Sequence, residues 1–75
     1  MNFFHYLVVM KTVNGMENFL VFAMNHSKAK EKVIGYLTDE YIPFSKDYPR
    51  NETVRVANSQ VEEMKNRSDI QTLYV

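Results

Sequence analysis

Apolar positions crowd the start of the chain. Phe3 to Val13 and Met16 to Asn25 are two runs rich in β-branched and aromatic residues, separated by Asn14-Gly15. Asn-Gly between such runs predicts a β-hairpin closed by a type I′ turn, which needs φ > 0 at both central residues. A two-residue turn there sets Val13 opposite Met16, Val9 opposite Leu20, Leu7 opposite Phe22 and His5 opposite Met24 on one side of the sheet. The other side carries Met10 with Phe19, Val8 with Val21 and Tyr6 with Ala23. A hairpin with one wet face should alternate apolar and polar, and this one is apolar on both. One face can pack on a helix; the other needs a second layer. The rest of the chain offers little material for it, so a partner subunit or a target protein is the expected cover.

The pattern then changes period. Ala29, Val33 and Leu37 recur at helical spacing, with Ile34 and Tyr41 beside them, and predict a helix from a Ser27 N-cap to near Tyr41. Pro43 disfavours helix at Ile42. Residues 42–51 hold two prolines and two aromatics and read as a fixed, irregular loop. Thr53 to Ala57 alternates as a half-buried strand, and Ser59-Gln60-Val61-Glu62 fits a capping box opening a short second helix. Ile70 to Val75 reads as a last strand. The expected fold is α+β in one domain over residues 1–75. Its N-terminal hairpin and main helix build a small, mostly antiparallel sheet in the order β-β-α-β-α-β.

Composition narrows the function classes. Seventy-five residues lie near the lower limit for a self-sufficient core, and without cysteine no disulfide or thiolate–metal site can staple it. Good packing or oligomerisation must serve, and a homodimer is expected. Nine basic residues balance nine acidic ones, unlike the basic excess of a dedicated nucleic-acid binder. The first residues have no basic n-region, and no run of about 18 apolar residues occurs. The expectation is a soluble, cytoplasmic protein without membrane contact.

Candidate chemistry is sparse. His26, Ser27 and Asp39 make a triad on paper only, since neither spacing nor a glycine-rich elbow supports it. Asp39-Glu40 and Glu62-Glu63 are adjacent pairs whose side chains diverge rather than share an ion. No enzyme, cofactor or metal is therefore expected. Lys28, Lys30 and Lys32 put positive charge into the first turns of a helix whose last turn holds Asp39 and Glu40, both against the helix dipole. With Ser27 they form a candidate anion contact. Tyr41, Phe44, Tyr48 and Arg50 have the residue types enriched at interface hot spots. The candidate partner-binding set is Tyr6, Val8, Met10, Phe19 and Val21 on one hairpin face, with Tyr41, Phe44, Tyr48 and Arg50; the pattern leaves open whether that face or the opposite one, with Leu7, Val9, Leu20 and Phe22, is the uncovered one. The alternative is a nucleic-acid-binding accessory protein using the basic helix start and the aromatic loop.

In size, lack of cysteine and the character of Met1-Asn2-Phe3-Phe4-His5-Tyr6 and Asn25-His26-Ser27-Lys28-Ala29-Lys30-Glu31-Lys32, the chain resembles a class of phage proteins. These are the small host-takeover proteins of phages of Gram-positive bacteria, among them a dimeric sliding-clamp inhibitor of a staphylococcal phage. The resemblance implies an inhibitor or adaptor that binds a host protein, in the host cytoplasm, and acts by occlusion. It carries no shared motif, so no residue role comes from it.

Overall fold

The computed structural model describes residues 2–75. Two long strands, β1 (Phe4–Thr12) and β2 (Gly15–Ala23), are followed by helix α1 (His26–Asp39) and strands β3 (Phe44–Ser45) and β4 (Glu52–Arg55). Helix α2 (Asn58–Lys65) and strand β5 (Ile70–Thr72) complete the α+β fold. The hairpin forms the centre of a mixed five-stranded sheet. Strands β3 and β4 lie end to end along the outer edge of β1, both antiparallel to it, and β5 runs parallel to β2 on the other edge.

This order explains why the helices lie on opposite faces. The chain leaves β2, crosses β1 through α1 and adds β3 parallel to β2. It then leaves β4, crosses the whole sheet the other way through α2 and adds β5. Crossover connections keep one hand, and two of the same hand taken in opposite directions must use opposite faces.

The hairpin forms where expected but two residues out of the expected register. Lys11 faces Met16, Val9 faces Asn18, Leu7 faces Leu20 and His5 faces Phe22. The turn residues are Val13 and Asn14, and only Gly15 takes a positive φ, of 105°. Asn-Gly thus serves a turn that ends on a left-handed glycine rather than the type I′ turn, which would need Asn14 in that region too. The buried Thr12 hydroxyl fixes this geometry. It accepts the Asn14 amide at 3.0 Å and donates to the Glu17 carboxylate at 2.5 Å. A shift of two residues preserves the alternation, so each side chain stays on its expected face.

Helix α1 starts two residues earlier than expected. Asn25, not Ser27, is its N-cap, and the Asn25 side chain accepts the Lys28 amide at 2.8 Å. At the other end Tyr41 adopts φ 56°, its amide bonds Thr38 O at 3.1 Å, and Ile42 N bonds Leu37 O at 2.9 Å. These are the paired bonds of a Schellman stop, built on a tyrosine where glycine is usual. Helix α2 begins after Ala57 with no side-chain cap, so the expected capping box from Ser59 to Glu62 does not form. The stretch read as irregular contains β3. There Asn51 acts as an inserted peptide group: its side chain accepts the Lys11 amide at 2.7 Å and donates to Ser45 O at 2.7 Å. One side chain thus closes the gap between β3 and β4.

Two unequal cores result. Under α1, Tyr6, Val8, Met10, Phe19, Val21 and Ala23 pack with Ala29, Val33, Leu37 and Leu73. Under α2, Leu20, Ile70, Val56 and Val61 form a smaller cluster, flanked by Leu7 and Met64. Length decides the difference. The 14 residues of α1 span about 21 Å, the 8 of α2 only about 12 Å, against strands about 30 Å long. The short helix cannot cover its face. No helix among the described residues is long and apolar enough to cross a membrane.

Candidate protein-contact surface

The first hairpin face is not a surface. Tyr6, Val8, Met10, Phe19 and Val21 are at most 3% exposed, sealed by α1 within the chain. These five candidate partner contacts are core residues. The reason is physical: full burial of a Val, Phe or Met side chain favours folding by about 1.5–3 kcal/mol, and α1 presents a matching stripe of Ala29, Val33 and Leu37.

The other candidates are scattered. Phe44 is half-buried against the α1 core and pairs with Thr12. Tyr48 lies beside Lys11, whose ammonium is 5.6 Å from the ring centroid, and Arg50 is exposed nearby in sequence. Tyr41 stands out at 92% exposure. The basic cluster does not converge either. Lys28 pairs with Glu31 at 3.4 Å, while Lys32 donates to the Phe22 and Val75 carbonyls at 2.7 and 2.9 Å. Lys30, about 200° around the helix from each, lines a concavity of about 210 Å³ with Val8, Val9, Met10, Asn51, Glu52 and Thr53. Ser27 is exposed in the first turn without a capping role. The lysines thus serve opposite flanks of α1, and no common anion site links them to Ser27.

The second sheet face is the open one. Here α2 covers Leu20 and flanks Leu7, leaving Phe3, Phe22, Val54 and Met16 between 38% and 47% exposed. Three of its side chains gather at one end. The Phe3 and Phe22 rings stack with centroids 5.4 Å apart, and His5 tilts onto Phe22 at 4.7 Å. The position of Phe22 is set by pairing with His5 across the hairpin and by its carbonyl, which Lys32 holds. Burial, and then the charge of Lys65, push the His5 pKa down, so the ring favours its neutral form against the aromatic pair. Of the two apolar hairpin faces the sequence offers, the one holding Phe22 is the less covered, and the candidate set on the first face does not include this trio. The sequence did carry a signal: Tyr6, Val8 and Met10 run uninterrupted, whereas His5, Lys11 and Asn18 put polar groups on the second face. The polar admixture marks the wetter side.

Enclosed space for chemistry is small. The 210 Å³ concavity is below the usual range of ligand pockets, about 300–1,000 Å³. A broader, shallow hollow of about 440 Å³ runs along α1, lined by Lys32, Gly35, Tyr36, Asp39, Glu40 and Val75. Among the described residues, no three His, Asp or Glu side chains come together as metal ligands would. His26 lies edge-on to the Tyr6 ring at 4.8 Å. No protein-family model matches the chain, and no curated protein or solved structure matches it.

Proposed function

We propose that this protein is a binding module for a larger protein, acting as an inhibitor or adaptor by occluding part of its partner's surface. The contact is the open end of the second sheet face, centred on Phe3, His5 and Phe22. One observation carries the reading: two stacked phenylalanines stand nearly half exposed, side by side at one end of a sheet face that α2 covers only around Leu20 and Leu7. Large apolar groups left on a small protein's surface mark contact sites, and aromatic anchors dominate binding energies there. Binding would give the aromatic end the second layer that α2 is too short to provide. This mode of action is also the one implied by the resemblance to phage host-takeover proteins.

The test is quantitative capture from extract of the cell that makes the protein. Wild type is compared with the double variant Phe3→Ser/Phe22→Ser and with Tyr48→Ser as a surface control. Proteins retained by wild type and control but lost with the double variant support the reading. An identical set retained by all three contradicts it.

A further inference from the structure

The outward ridge of α1 is arranged against its own helix. Lys28 lies in the first turn and Asp39 in the last, with no acidic residue in the first turn and no basic one in the last. The helix dipole favours the reverse. Successive residues stand about 100° apart. With Ala29, Val33 and Leu37 turned to the sheet, Lys28, Glu31, Gly35 and Asp39 line the far side, and all four are exposed. Asp39 has no cationic partner among the described residues. Gly35, near the middle of the ridge, has nothing within 4 Å of where a Cβ would stand. It weakens the helix relative to alanine without serving any contact inside the chain.

We propose that this ridge packs against the same ridge of a second copy, antiparallel about a two-fold axis. In such a contact each residue and its opposite number exchange roles. The register that sets Lys28 against Asp39 of the second copy sets Asp39 against Lys28 of that copy. Two equivalent ion pairs form, about 16 Å apart along the helix. The same register lays Lys32 across Gly35 of the second copy. The Lys32 ammonium is tied to the Phe22 and Val75 carbonyls, so its stem is a fixed rib, and the missing side chain at Gly35 leaves it room. Each lysine then lies near the negative end of the neighbouring helix and each aspartate near the positive end. Charges unfavourable in the monomer become favourable in the pair. A parallel pairing would set like charge against like. A second copy supplies the complementary polarity by symmetry, and a net charge of zero sets up no overall repulsion between copies. The ridge faces away from the sheet, so the dimer keeps the aromatic end of each copy free and is bivalent for the proposed partner.

Sedimentation velocity from about 1 µM to 1 mM protein tests this with wild type, Lys28→Glu, Asp39→Lys and an equimolar mixture of the two variants. Both positions are exposed and each change introduces the charge the dipole favours, so the variants keep their fold, which circular dichroism checks. Wild type is expected to self-associate. Each variant alone should associate at least about tenfold more weakly, since two attractive contacts turn repulsive. The mixture should recover, because the introduced carboxylate of one variant meets the introduced ammonium of the other while native Asp39 meets native Lys28. Gly35→Leu, which changes no charge, should also abolish association. A wild type that stays monomeric throughout overturns the proposal. So do single variants that associate like wild type, or a mixture no better than its components.

Discussion

The two faces of the central hairpin start from similar apolar content and end in different states. The face under α1 meets a helix of 14 residues whose stripe matches it, and its six inward residues from Tyr6 to Ala23 are sealed. The face under α2 meets 8 residues, of which Val61 is the one buried. The chain completes one core and only begins the other. In a molecule this small the difference is large: the first face holds the fold together, and the second leaves aromatic groups uncovered, where we propose the partner binds.

Paired truncations test that division most strongly. Phe19→Ala empties a fully buried site and should cost about 3–5 kcal/mol, comparable to the whole stability of a small domain. Phe22→Ala, on the open face, should cost no more than about 1 kcal/mol. Urea denaturation of the two variants reads the contrast directly, and equal losses would break it. At the edge shared by both faces, Asn51→Ala leaves the Lys11 amide and the Ser45 carbonyl without their partner. It should destabilise by about 1–3 kcal/mol, with faster amide exchange at Lys11 in NMR as the local signature.

A smaller effect of opposite sign is expected where α1 stops. Tyr41 holds a left-handed conformation that costs a non-glycine residue about 1–2 kcal/mol, and it makes little contact in return. Tyr41→Gly should stabilise by about 1 kcal/mol, raising the thermal midpoint by roughly 4–8 °C. The smallest effect separates the faces by pH. Because burial and Lys65 lower the His5 pKa in the fold, the unfolded chain takes up the proton first. The stability linked to neutral His5 is intact above its ordinary value of 6.5. It is lost as pH falls from there toward the lowered folded value, and levels off below it. Urea midpoints at about pH 8 and pH 5 should differ less in His5→Gln than in wild type.

Much of this arrangement was legible in the chain. The hairpin, the α1 stripe at Ala29, Val33 and Leu37, and the assignment of each strand residue to a face follow from periodicity, which a two-residue change of register leaves intact. Three features were not legible, each for its own reason. Asn25 and Ser27 are both competent caps, and which one serves depends on where β2 releases the chain. The strand at Phe44 and Ser45 is too short to leave a pattern and exists because β1 has a free edge that Asn51 helps to close. The choice of open face turned on topology: the second crossover places α2 against the face that already carries His5, Lys11 and Asn18. Apolar character points to Tyr6, Val8, Met10, Phe19 and Val21, and the most apolar face is the one a chain buries first.

Site-specific photocrosslinking in the producing cell asks directly whether the aromatic end of the second face touches a partner. A benzophenone analogue of phenylalanine replaces Phe22 on the open face in one sample and the exposed turn residue Val13 in another. Adducts to a discrete partner are expected from position 22 and none from position 13. Adducts to the same protein from both positions, or from position 13 alone, would contradict that contact.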